Sequence, residues 1–243
     1  MSLASTKSKS DRRKQPEPSR HELKYYINNG DARVIGDMLD KVLWRDENAD
    51  ENREYHIRSL YFDNHLESAY YDKIDGVRDR EKYRIRIYNF SDRQIRLERK
   101  SKRGELISKL SATIDRSICE QIIAGDTSGL EKSSDPLLRD MFVNMTTQLM
   151  HPAVIVDYVR EAFIHPAENT RVTIDKQLRT GMFSEDIFNP NLPTISPLDE
   201  QLSILEVKFD RRLISIIPPL ISFASYDKSA ISKYTLCRRY DFL

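Results

Sequence analysis

The seven residues Lys82–Tyr88, "KYRIRIY", restrict the fold more than any other stretch of the chain. Tyr83, Ile85 and Ile87 alternate with Lys82, Arg84 and Arg86, a period of two that belongs to a β-strand with one apolar face. The opposite face is a row of three cations roughly 7 Å apart. The same pattern recurs along the chain. Glu22 and Lys24 share a face in "HELKY", and Arg96, Glu98 and Lys100 share one in "RLERK". Arg171 and Asp175 flank Thr173 in "RVTID", and Glu206, Lys208 and Asp210 oppose Leu205, Val207 and Phe209 in "LEVKFD". An antiparallel sheet with its charged side in water is the ordinary account of one such strand. Two features argue against it for the set. Glutamate and lysine recur two residues apart (Glu22/Lys24, Glu98/Lys100, Glu206/Lys208), and small uncharged polar residues are scarce beside them. A sheet closed into a barrel with its charged face inward and its apolar face packed under helices explains both.

The remaining patterns supply the strands and helices for such an α+β fold. Strands are expected at 21–27, 55–63, 82–88, 94–100, 109–114, 152–165, 170–179 and 203–210. "NFSDR" (89–93) reads as the turn of a hairpin. Helical spacing marks 31–44, with Asp31 as N-cap, and 65–76, ending at Gly76. It also marks 115–125 and 135–150, the latter with Asp135 as cap and Pro136 in the first position. A proline-interrupted helical tail closes the chain. Residues 1–19 are polar, basic and proline-bearing and read as a disordered leader. No repeat or linker divides 20–243, which reads as a single domain.

Composition removes several function classes. Lysine and arginine (39) nearly cancel aspartate and glutamate (38), so bulk attraction to nucleic acid is not indicated. Cys119 and Cys237 form no metal or disulfide framework and fit free thiols in a reducing cytoplasm. The longest apolar run, 213–224, is too short to span a bilayer and is broken by Pro218 and Pro219. The chain therefore reads as cytoplasmic and not membrane-spanning. There is no GxxxxGK[ST] or GxGxxG, the five histidines lack metal spacing, and no Ser–His or Cys–His set stands out.

The inward positions of the barrel carry ten cations (Lys24, Lys82, Arg84, Arg86, Lys100, Lys109, Arg160, Arg171, Lys208, Lys233) and four anions (Glu22, Glu98, Asp175, Glu206). Stripping such charges of water costs several kcal/mol each, so the bore must be wet and filled by an anion. A polyanion suits it, with carboxylates among the cations to hold a divalent metal. Phosphate chains with Mn2+ or Mg2+ match that chemistry.

Together "RHELKY", "SLYFD", "YYDKIDGVRDREKYRIRIY", "LERKSKRGELISKL", "YVREAF", "RVTIDKQLR", "LEVKFD" and "SKY" resemble the VTC domain. This is the polyphosphate polymerase domain of the vacuolar transporter chaperone family, within the CYTH-like triphosphate tunnel metalloenzymes. The resemblance runs in order from Arg20 to Tyr234. It implies an antiparallel eight-stranded β-barrel tunnel, flanked by helices and lined by phosphate-binding cations and metal-binding glutamates. By motif Lys24, Arg84, Arg86, Lys100, Lys109 and Arg171 match the basic phosphate ligands. Glu206 matches the principal metal carboxylate, with Lys208 beside it, Lys233 in "SKY", and Glu22 and Glu98 as secondary carboxylates. Arg84, Arg86, Lys100, Arg171 and Glu206 are then the candidate catalytic set. One position departs: polymerases of this type tend to carry a lysine three residues before that of "SKY", where Ala230 stands here, the nearest basic residue being Lys228.

The implied activity is transfer of the γ-phosphoryl group of ATP to a polyphosphate chain; the sequence leaves open a membrane-protein partner to receive the product. A tunnel triphosphatase acting on nucleotides or inorganic triphosphate remains open, as does a module that binds polyphosphate without turnover. Metal-type carboxylates favour an enzyme, since a binder gains nothing from Glu206.

Overall fold

A computed structural model describes residues 20–104, 106–222 and 230–242; the expected leader and Lys228 lie outside them. The sheet runs β1 (His21–Asn28), β9 (Leu202–Phe209), β8 (Thr170–Thr180), β7 (His151–His165), β3 (Tyr55–Asp63), β4 (Asp79–Tyr88), β5 (Ser91–Arg103), β6 (Leu106–Ile114). Every pairing is antiparallel. A ninth strand of two residues, β2 (Trp44–Arg45), pairs with β7 beside this path. The expected closed eight-stranded barrel is therefore corrected in one respect: β1 and β6 are edges with no ladder between them among the described residues. Side chains span the gap instead. Lys100 on β5 donates to Glu22 on β1 at 2.9 Å, which only a sheet curled into a tunnel allows, since β1 is one edge and β5 lies next to the other.

Local chemistry explains most element ends. The Asp115 carboxylate accepts from Ile118 N to start α3 (Arg116–Ile123). Asp135 caps α4 (Pro136–Thr147), with Pro136 in the first turn. The first helix, α1 (Asn29–Leu39), begins earlier than expected because the Asn28 side chain accepts from Asp31 N. It also ends earlier than residue 44. Arg45 is drawn off to pair with β7, donating to Asp40 at 2.5 Å and Glu161 at 2.8 Å. α2 shrinks to Ser68–Ile74, because the Asn64 side chain organises a turn by accepting from Leu66 N and Ser68 N. The β4–β5 hairpin turns tightly on Asn89 and Phe90, both with positive φ (48° and 56°), the two-residue geometry that matches strand twist.

Two apolar layers cover the outer face. Ile85, Ile87, Ile95, Leu97 and Ala112 pack under Cys119, Ile122, Leu137 and Met141 of α3 and α4. Ile27, Phe163, Val172, Ile174, Leu205 and Val207 pack under Ile35 and Leu39 of α1, with Ile217 of α5 (Ile217–Ile221). Each fully buried side chain of this kind contributes roughly 1.5–3 kcal/mol. The apolar half of "KYRIRIY" therefore faces out of the tunnel into a helical layer, as its pattern requires. Arg58, also on the outer side, is 1% exposed and donates to Asp157 at 2.8 and 2.7 Å and to the carbonyls of Ile187 and Asn189.

The inner face is not charged throughout. Ile57, Val154, Val156, Leu178 and Ile204 form an apolar zone with Ile231, and with Tyr234 and Cys237 of α6 (Lys233–Arg238). A bulge at Gln177 (φ 52°) shifts the β7–β8 register and exchanges the faces of β8. Asp175 points into the bore before it, and Leu178 takes an inner apolar position after it.

Candidate active site

β1, β9, β4, β5 and the segment 230–234 enclose a cavity of about 590 Å3. Registers explain how the charges meet. Lys24 lies opposite Glu206, and Glu22 opposite Lys208, so β1 and β9 form a checkerboard. Arg84 lies opposite Glu98, and Lys82 opposite Lys100.

One wall is built around arginines. Arg84 donates through Nε to Glu98 at 2.7 Å and through Nη1 to the Tyr61 hydroxyl at 2.8 Å. Arg86 donates to Ser59 Oγ at 3.2 Å and to the Tyr158 hydroxyl at 3.0 Å. Glu98, 2% exposed, also faces Lys109 at 3.4 Å. Its burial favours the neutral acid, but Arg84 and Arg86 outweigh that and hold it well below the usual carboxylate range. Burial also opposes ionisation of the Tyr158 phenol, yet Arg160 and Arg86 overcome it and lower its pKa.

The opposite wall carries the acids. Lys24 and Lys208 each lie within 3.3–3.7 Å of both Glu22 and Glu206. Arg160 approaches Glu206 at 3.6 Å. Burial would raise Glu206, but Lys208 and Lys24 keep it ionised far below its ordinary value. Asp175 accepts from Arg160 at 2.6 and 2.8 Å and meets Lys233 at 2.6 Å. Those two cations overcome burial and bring its pKa to about 2. Lys100 is lowered to about 8, because burial together with Lys24 and Lys208 outweighs Glu22. The Thr173 hydroxyl, cross-strand from Glu206, is buried with no hydrogen-bond partner among the described residues.

Among the sequence candidates, Lys24, Lys82, Arg84, Arg86, Lys100, Arg160, Lys208, Lys233, Glu22 and Glu206 line this cavity. Glu98 and Lys109 are not in its lining: they are bonded to each other, and Glu98 also to Arg84. Arg171 is placed elsewhere: its Nη2 donates to Asp46 at 2.5 Å and to the Tyr55 hydroxyl at 2.9 Å, outside the cavity lining. Tyr61, Tyr158, Lys73, Arg80 and Lys102 line the cavity although the sequence reading left them out. Arg80 and Lys102 continue the even-numbered faces of Lys82–Arg86 and Glu98–Lys100, a signal present in the strand period. Lys73 comes from α2, where no strand period could find it. Ala230 also lines the cavity.

Among the described residues, no group of three or more His, Cys, Asp or Glu could hold a metal. Glu22 and Glu206 supply two hard carboxylates, which suits Mg2+ or Mn2+, since these ions bind through one or two carboxylates plus substrate phosphates. Glu98 is turned to the arginines.

The VTC domain family matches residues 19–240. The chain belongs to this family. Solved structures are similar to the chain in fold at low identity. A Hippeastrum protein described as a candidate adenylyl cyclase with a dominant triphosphatase activity is 17% identical at TM-score 0.57, with 93% of this chain and 97% of that one covered. A candidate adenylate cyclase from Bacillus halodurans is 10% identical at TM-score 0.50, covering 88% and 95%. Both are likenesses of fold. No curated protein matches the chain. No described helix is long and apolar enough to cross a membrane.

Proposed function

We propose that this VTC-domain protein is a metal-dependent, triphosphate-handling tunnel enzyme that transfers the γ-phosphoryl group of ATP to a polyphosphate chain. The carrying observation is the convergence of Arg84, Arg86, Arg160, Lys24, Lys100, Lys208 and Lys233 on one cavity whose acids are Glu22 and Glu206. Such a cage binds a phosphate chain and stabilises charge on a transferring phosphoryl group.

In this reading Arg84 and Arg86 clamp phosphoryl oxygens through guanidinium N–H groups, their planes fixed by Glu98, Tyr61 and Tyr158. Arg160 is oriented by its two bonds to Asp175. Lys24, Lys100 and Lys208 neutralise chain charge as point cations. Glu22 and Glu206 would hold Mn2+ or Mg2+, which supplies charge neutralisation at the phosphoanhydride when bound. The acceptor is the terminal oxygen of another phosphate chain.

A second reading, a tunnel triphosphatase with water as acceptor, is favoured by Ala230 in the cavity lining and by the activity named for the Hippeastrum protein. Incubation with ATP and Mn2+ followed by resolution of phosphate products separates the two. Long chains support the polymerase, orthophosphate alone supports hydrolysis, and tight polyphosphate binding without either product reduces the protein to a binding module.

A further inference from the structure

Part of the cavity lining is not charged, and it lies along the seam between the two edges of the sheet. His21 and Leu23 come from the β1 edge, Ile107 comes from the β6 edge, and Phe209 comes from β9 beside β1. His21 and Phe209 form the end rung of the β1–β9 ladder. Their rings stack with 5.1 Å between centroids and 23° between planes. Phe209 belongs to the buried apolar layer under α1, with Leu205 and Val207. His21 lies over it and is exposed.

This pair is braced on both sides. The next rung inward is Glu22 with Lys208, 3.4 Å apart, and on the other side Arg20 meets Asp210 at 3.2 Å. The remaining aromatic rings of the lining are each taken up by a cation. Tyr61 lies against Arg84, Tyr158 against Arg160 and Lys233, and Tyr234 against Lys82. Among the described residues, no cation covers the His21 or the Phe209 ring. The seam therefore presents a flat ring, supported from behind, one residue from a carboxylate of the cationic cage.

The chemistry of that ring selects among phosphate ligands. An inorganic phosphate chain is charged along its whole length and gains nothing from an apolar, aromatic lining. A nucleoside triphosphate carries a heteroaromatic base, whose face stacks on an aromatic side chain. We propose that His21, seated on Phe209, is the stacking platform for the base of a nucleoside triphosphate, which lies in the β1–β6 seam while its phosphates occupy the cationic cage. This rests on the phosphate-binding reading of the cage. Every base has a π face, so the platform favours a nucleotide over inorganic triphosphate rather than one base over another.

The test uses two ligands that resist transfer and differ in the nucleoside: the β,γ-imido analogue of ATP, and inorganic triphosphate with the same imido bridge. Calorimetric titration in Mg2+ gives the Kd of each for the wild type, His21→Ala and His21→Phe, all checked for folding by circular dichroism. His21→Ala should weaken the ATP analogue roughly tenfold and change the inorganic ligand by less than about twofold. His21→Phe keeps a flat ring and should bind the ATP analogue within about twofold of the wild type. An alanine variant that binds the analogue normally, or that weakens both ligands alike, would overturn the platform while leaving the cage standing. So would a phenylalanine variant as weak as the alanine one, or a wild type that binds only the inorganic ligand. If neither ligand binds the wild type, the phosphate reading itself fails, and the platform with it.

Discussion

Tyr158 shows how much a single side chain can decide inside the tunnel. Its hydroxyl accepts from Arg86, and its ring lies 5.2 Å from the Arg160 guanidinium and 4.9 Å from the Lys233 ammonium. Removing the hydroxyl alone, in Tyr158→Phe, keeps the ring and frees the Arg86 plane. Turnover number should fall roughly tenfold, as expected for about 1.4 kcal/mol of lost transition-state stabilisation, with a smaller change in KM for ATP. An unchanged turnover number would remove Tyr158 from the positioning set. Glu206→Gln and Arg84→Ala act on the cage itself. Each should lower turnover by roughly a hundredfold or more while near-native circular dichroism is kept, because Lys24 and Lys208 retain Glu22, and Glu98 retains Lys109. Wild-type activity in either would contradict the site. Lys100 gives the sign of the pH response. With a pKa near 8 against 10.5 when unfolded, the folded chain binds fewer protons than the unfolded one between those values. This group therefore adds stability to the unliganded protein as pH rises through that window. A bound polyanion reverses the effect by raising the pKa. Polyphosphate binding just above pH 8 should then take up protons and weaken with rising pH. Titrations in buffers of different ionisation enthalpy measure that uptake, and proton release would refute it.

At the scale of elements, the strand faces were legible in the sequence because a period of two leaves no freedom once one face is apolar. Ile85 and Ile87 could pack only under α3 and α4, which sent Arg84 and Arg86 inward. Asp135 and Pro136 announced their helix through capping chemistry. What sequence could not supply depends on contacts distant along the chain. Arg171 shares the inward face of β8, yet Asp46, 125 residues away, captures its guanidinium. Lys73 reaches the cavity from a helix, and α6 fills part of the bore with Tyr234 and Cys237. The gap between β1 and β6 is likewise invisible to periodicity, since edge and central strands share the same alternation. One anchor follows from a contact of this distant kind. Arg58 on β3 joins Asp157 on β7 to the backbone at Ile187 and Asn189. Arg58→Met leaves Asp157 buried without its guanidinium and should destabilise the protein by about 3–5 kcal/mol. Urea unfolding checks this, and a loss below about 1 kcal/mol would mean that water replaces the arginine.

For the whole molecule, the decisive property is an excess of positive charge held within a curled sheet whose edges meet through side chains. The ion pair of Lys100 with Glu22 ties β5 to β1 across the open seam of the sheet, while Arg80 opposite Lys102 and Lys82 opposite Lys100 push adjacent strands apart. A polyanion in the bore should relieve the repulsion and hold both ends at once. A ligand bound only to the folded state at a hundred times its Kd adds about 2.7 kcal/mol. In a chain of this size, that raises Tm by roughly 5–10 °C. Sodium chloride at matched ionic strength screens exposed charges within a Debye length of about 8–10 Å but cannot bridge β1, β4, β5 and β9. Polyphosphate should therefore raise Tm well beyond the matched salt in differential scanning calorimetry. Equal shifts would mean that the inward cations behave as ordinary surface charge, and the tunnel would lose its role as a site.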